Sequence, residues 1–445
     1  MKELLLINDS KANKVSYYHI MLLMASLPFD LFYSHIILIS FALHTFIHLK
    51  KEKLKSLLSV KMLVLPSVLF VSIVATACTT NMRAAFTEWT LRIPLLLFPL
   101  LFSLTELDLK KYRSNLLLAF SLICSGTIFY LYADALYTIR YYHLPLRALF
   151  AEGFTNHNFA QPINIHATFF SFQLVIALVN LLYLLMIGAS PRFTKALYIA
   201  CSMLLIAGII QLSSKSILLV LFVIVNMVLP YCLLQGKSRK KFIFTGLAIS
   251  VLLGAGILSI PTFRDRYVTL FRQDLSVDKT LPRNSDSRIE RWHVAAERIK
   301  QKPFIGYGSG SEINLLHNDF YKAKMYSSFL YGLNAHNQYI SFTLKSGIWG
   351  LLIYLFTLGY GFKMSFRKKD VVFISFMLVI TVVSFAENYL DVDKGVMFYG
   401  FFFSFFIFYH AEKETVITDN QKPHDYLSPV ATNALPVTSY YYNTL

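Results

Sequence analysis

The chain has 445 residues, of which 56% are hydrophobic, 16% aromatic and only 15% charged, where a soluble domain carries about 25% charged residues. Apolar runs of roughly 15 to 25 residues recur along nearly the whole length, close to the ~20 that cross a bilayer as a helix, which excludes an ordinary soluble enzyme. The net charge of +17 would suit nucleic acid, but it sits in short loops between apolar runs, so no nucleic-acid partner is expected.

The opening stretch, MKELLLINDSKANK, lacks the apolar core and small-residue cleavage site of a signal peptide. Residues 1–14 are therefore expected to remain as a short polar terminus. Twelve membrane spans are then predicted, at 15–29, 31–49, 57–78, 89–104, 115–139, 164–187, 194–212, 216–234, 242–260, 337–361, 371–388 and 395–410. The first two flank "LPFDLF" and read as a tight helical hairpin. The chain thus divides into spans one to nine over 15–260, a long connection over 261–336, and spans ten to twelve over 337–410. The expected fold class is an all-α polytopic membrane protein of about 12 transmembrane helices with one long, partly helical loop. Residues 411–445 are polar and expected to be disordered. The four cysteines, Cys78, Cys124, Cys201 and Cys232, are scattered singly and show neither metal spacing nor a disulfide framework.

Charge sets the expected orientation. Five short connections, from KKEKLK at 50–55 to FKMSFRKKD at 362–370, hold seventeen Lys and Arg against five in the short connections of the other side. Lys and Arg in short loops mark the cytoplasmic side. Both termini are then cytoplasmic, and the long connection faces outward.

That connection carries its own helical pattern. In "SDSRIERWHVAAERIKQKP", Ser287 and Glu290 form an S-x-x-E capping box, and Trp292, Ala295, Ala296 and Ile299 follow at helical spacing. Pro303 and the glycines of "PFIGYGSG" end the helix. Arg288 falls in the first turn, where the helix dipole disfavours a cation by a few tenths of a kcal/mol, roughly; something is expected to use that charge. A second helix is expected over 311–327.

The chemistry-bearing candidates cluster on the outer side. His336 and Asn337 stand at the lip of span ten. A histidine there is an interfacial anchor in the plain reading, but a neutral imidazole also accepts a proton from a hydroxyl near pH 7, and Asn337 would orient it or the acceptor. No companion spacing points to a metal. Lys215, between Ser214 and Ser216 at a helix start, is a snorkelling lysine or a phosphate site. Arg288 and Arg291 are solvated loop charges or bidentate anion ligands. Arg92 pairs locally with Glu88 one turn earlier or lines a site. His166 opens a span on the outer side as a site-lining group.

Together, "SRIERWHVAAERIKQKPFIGYGSG" and "HNQYISFTLKSGIWGLLIYL" resemble the hallmark region of the O-antigen ligase and polymerase superfamily: an Arg, a Trp four residues on, P-x-x-G-x-G, then His-Asn, nine residues and G-x-x-G. Here Gly347 and Gly350 supply the last element. "LRIPLLLFPLLF", "IHATFFS", "QLSSKS" and "AENYLDVDKGVMFYGFFFS" extend the likeness over most of 88–404. The resemblance implies a GT-C-like membrane glycosyltransferase of the bacterial inner membrane, with its active site facing the periplasm. It implies a glycan donor on undecaprenyl diphosphate, lipid A–core or another glycan as acceptor, inversion at the anomeric carbon, and neither cofactor nor metal. It makes His336 the base or acceptor-orienting group and Arg288 a ligand of the donor diphosphate, helped by the cation at 215. The family usually has Arg there and this chain has Lys215; where a Glu often follows the His-Asn pair, this chain has Lys345. A ligase, a polymerase and a protein O-glycosylating enzyme share this chemistry. A lipid-linked oligosaccharide flippase is the alternative of another class; it would more often show two related halves, and no internal repeat is visible.

Overall fold

The computed structural model describes residues 2–188, 191–274 and 286–410. The expected tail at 411–445 and the middle of the long connection lie outside these. Among the described residues every regular element is helical, and the chain is an all-α polytopic membrane protein.

The helices that matter here are α1 (Lys11–Ser26), α2 (Leu31–Ile47), α3 (Pro66–Ala75), α4 (Met82–Leu104), α5 (Leu109–Tyr141), α6 (Ala167–Ile187), α7 (Arg192–Leu212), α8 (Lys215–Leu233), α9 (Gly236–Leu258), α10 (Arg288–Gln301), α11 (Glu312–Lys322), α12 (Gln338–Arg367), α13 (Val371–Ser384) and α14 (Asp393–His410). Each predicted span falls on helix, but among the described residues seven helices, α4 to α9 and α12, are long and apolar enough to cross a membrane. Counting α2 with the segment Lys51–Leu58, which bends from it by 119°, makes eight. Four lysines between 50 and 55 explain the bend, because a charged stretch cannot continue into hydrocarbon.

Other departures from expectation have local causes. The predicted span 57–78 is broken into short turns before Pro66, which starts α3 at a position that needs no N–H donor. The predicted hairpin at "LPFDLF" is present, with the Asp30 carboxylate accepting from Phe32 N at 2.8 Å to start α2. The capping box is formed and α10 ends before Pro303. The helix expected over 311–327 is split: α11 stops at Lys322, Lys324 adopts a left-handed backbone (φ 58°), and a short turn follows.

Helix α6 lies at the centre, packed against α5, α7 and α13. The other packed layer is aromatic. Phe373 and Phe376 of α13 stack with Phe398, Phe402 and Phe406 of α14, an apolar mass that satisfies ring geometry without leaving polar atoms in the membrane. Helix α9 buries none of its residues and is the outermost span.

Helix α12 is broken at Gly347, whose φ of 64° and ψ of −162° interrupt the helical ladder. Loop 303–310 plugs into the break. Tyr307 N donates to Leu344 O at 2.9 Å, Gly308 N to Lys345 O at 2.8 Å, and Ile348 N to Pro303 O at 2.9 Å. A Cβ on Gly306 would run into Lys345 O, and one on Gly347 into Phe304 O. The P-x-x-G-x-G and G-x-x-G motifs are thus two halves of one backbone-to-backbone joint, which fixes α10 and the start of α12 against each other.

Candidate active site

Helix α12 begins at Asn337, whose carboxamide oxygen accepts from Tyr339 N at 3.0 Å and Ile340 N at 3.2 Å. Its side chain is thereby spent as a helix cap, and its own N–H donates to Asn388 Oδ1 at 2.7 Å. Asn337 holds the element in place; its side chain does not reach the imidazole. The preceding residue, His336, takes a left-handed backbone (φ 47°), uncommon for a side chain other than glycine or asparagine. Its N–H donates to Asn334 Oδ1 at 2.9 Å, and the turn carries the ring away from the helix.

The ring meets a carboxylate that follows α13. His336 Nδ1 is 3.0 Å from Glu387 Oε2. The other oxygen of Glu387 is 3.6 Å from Arg288 Nη2, and Arg288 Nη1 donates to Ala386 O at 2.7 Å. The cation at the start of α10 therefore has its user: Glu387 offsets the unfavourable dipole and ties three elements together. Burial pushes the Glu387 carboxyl up, but the His336 hydrogen bond and the charges of His336 and Arg288 outweigh it and hold it below its usual 4.5. An ionised carboxylate only accepts, so Nδ1 of His336 carries a proton, and in the neutral ring Nε2 is the nitrogen with the lone pair.

His336 and Glu387 line a cavity of about 480 Å³ together with His166, Asn164, Asn334 and Lys394. His166 precedes α6 and its ring lies 4.1 Å, centroid to centroid, from that of His157. The surrounding protein pushes His166 down, against the pull of Glu387, which favours its neutral form.

Cations gather on one side of this cavity's carboxylate. Lys215 pairs with Asp274 at 2.8 Å. Arg266 donates through Nε to Ser213 O at 2.9 Å, where Ser213 has a left-handed backbone (φ 43°). Burial, with Arg288 adding to it, lowers both Arg266 and Arg291 from their ordinary value, Arg291 to about 10. Arg291 is only 6% exposed, and its Nε finds no hydrogen-bond partner among the described residues. A buried, still protonated guanidinium with an idle donor is a group that gains from an anion.

Of the sequence-derived candidates, the structure draws His336, Arg288, Arg291, His166 and Lys215 into one electrostatic neighbourhood. Arg92 stands apart. It is 1% exposed and fully engaged, with Glu88 at 2.5 Å, Asp391 at 2.7 Å, Leu390 O and Ser72, so it reaches no cavity wall. Nothing in the sequence singled out Arg266, or Glu387 as the partner of His336.

Residues 199–355 match the family model described as O-antigen ligase. Over that stretch, about a third of its length, the chain is similar to the O-antigen ligase family. The matched stretch contains Lys215, Arg266, Arg288, Arg291, His336 and the joint at Gly347, while Glu387 and His166 lie outside it. Comparison with curated proteins finds no match.

Proposed function

We propose that this protein transfers a glycan from undecaprenyl diphosphate to an acceptor hydroxyl on the periplasmic face of the bacterial inner membrane, and that the acceptor is lipid A–core. The observation that carries the reading is the Arg288–Glu387–His336 chain at the edge of an open cavity, with three further cations beside it. The excess of Lys and Arg in the opposite loops supports cytoplasmic termini and an outward-facing segment 261–336.

The residues supply each step. The acceptor hydroxyl gives its proton to His336 Nε2 as its oxygen bonds to the anomeric carbon. The bond from that carbon to the diphosphate breaks on the opposite face, so the centre inverts. The leaving diphosphate takes the electron pair, and Arg288, Arg291, Arg266 and Lys215 stabilise the charge it carries. Glu387 holds the imidazole in the required tautomer and steadies the imidazolium, which then releases its proton to water. No step calls for a metal.

The test is a transfer assay with His336→Ala and Arg288→Ala in membranes lacking the native enzyme, analysing lipopolysaccharide and undecaprenyl-linked glycan together. Wild type should build long-chain lipopolysaccharide, while the variants, at equal abundance, leave full-length glycan on the carrier. Accumulation of single repeat units instead would identify a polymerase. Normal transfer by both variants would overturn the reading.

A further inference from the structure

A second cavity, about 460 Å³, opens beside the first. The two share Asn334 and Val392 as wall residues, so they meet next to His336. Helices α4, α11 and α12 and the segment after α13 bring five ionisable groups to its floor and the layer behind it. Lys345 lies 2.7 Å from Asp391, 3.5 Å from Glu88 and 3.6 Å from Glu312, and Arg92 closes the group through Glu88 and Asp391. Thr87 and Arg83 stand exposed at the rim.

The charges on the two sides of His336 are sorted. In this second group three carboxylates face two cations, and Arg83 at the rim brings the cavity close to neutral. Around Arg288, four cations face Glu387, Asp274 and Asp286, leaving an excess of positive charge. A diphosphate is drawn to the Arg288 side, where the positive excess lies. What a carboxylate-lined cavity takes is an uncharged donor of hydrogen bonds, and Glu88, ion-paired with Arg92, stands in its wall. Asp391 is also partly open to the cavity, with its side chain 20% exposed.

We propose that this cavity binds the acceptor: the uncharged, polyhydroxylated sugar unit that presents the nucleophilic hydroxyl to His336. The inference rests on the transfer reading above and adds that donor and acceptor enter from opposite sides of the imidazole, sorted by charge. The donor diphosphate lies on the Arg288 side and the acceptor sugar on the Asp391 side.

The test uses the full chain in lipid nanodiscs, an undecaprenyl diphosphate glycan as donor, and lipid A–core, or a lipid-linked repeat unit should that be the acceptor the wild type uses. Thr87→Trp fills the cavity from an exposed position, and Arg83→Trp does so from the rim should the first variant fold poorly. The expected result is a KM for the acceptor about tenfold higher, with the donor KM within roughly twofold of wild type. An acceptor KM that does not move, or a donor KM that moves in its place, overturns the inference. A wild-type protein that moves no glycan off the lipid diphosphate with either acceptor overturns the transfer reading, and this inference with it.

Discussion

At the scale of single residues, the site depends on one carboxylate reaching one imidazole across the fold. Glu387→Gln keeps the shape and removes the charge that orients His336 and steadies its protonated form. It should lower kcat about a hundredfold, within the usual range for a positioned proton-transfer group, with the donor KM nearly unchanged. The same variant carries a pH signature. The folded-state pKa of Glu387 is depressed, so the stability it contributes is present above the unfolded value near 4.5 and is lost as pH falls through the lower folded value. The melting temperature of Glu387→Gln should therefore fall less steeply than wild type below about pH 4.5. Lys215 gives a second prediction. Lys215→Arg can keep the pair with Asp274 and add a fork toward phosphate, so its donor KM should be no higher than wild type. Lys215→Met should raise it by about tenfold. His336 and Arg288 were legible in the sequence because each belongs to a short local motif. Glu387 was not legible as their partner. Its stretch, "AENYLD", was visible, but no spacing rule joins a loop after one helix to a loop 51 residues earlier.

Among elements, hydropathy found the helices and missed their breaks. An apolar run shows where hydrocarbon begins and ends, and says nothing of a backbone that opens inside it to take in a loop. The G-x-x-G pattern was read as a family mark, and the structure supplies its physical cause. Gly347 holds a backbone conformation that is nearly confined to glycine, pressed against the carbonyl of Phe304. Gly347→Ala should therefore destabilise the protein by about 2–4 kcal/mol, seen as a lower melting temperature in detergent. Transfer activity should fall with it, because the joint sets where α10 and Arg288 stand relative to His336. Gly359 lies farther along α12, where an added Cβ would meet nothing within 4 Å, and Gly359→Ala should leave the melting temperature unchanged or slightly raised.

Across the whole molecule, the buried charge group ties the outer segment to the membrane helices alongside the backbone joint at Gly347. Glu88 accepts from Gly310 N at 2.8 Å. Glu312 accepts from Ala335 N at 3.1 Å and from Asn388 Nδ2 at 3.0 Å, and Asn388 in turn caps the backbone of Asn337. Strain or charge imbalance in this group is therefore passed to the turn that carries His336. Lys345 is its pivot, buried to 4% exposure within an apolar helix, in a place where composition alone gives no reason for a lysine. Burial pushes Asp391 up, but Lys345 and Arg92 outweigh it and hold the carboxyl down at about 2, so removing either cation strands a partly buried anion. Lys345→Met should cost about 3–5 kcal/mol, the usual penalty for breaking a buried pair from one side. Asp391→Asn alone should also destabilise, since Lys345 then lacks its nearest anion. In the double variant neither stranded charge remains, and the loss should be smaller than the sum of the two single losses by at least about 1 kcal/mol. Thermal or denaturant melts of the four proteins in one detergent measure that coupling. Additive losses would mean that the two groups act independently, and that the outer segment is held by the backbone joint at Gly347 instead.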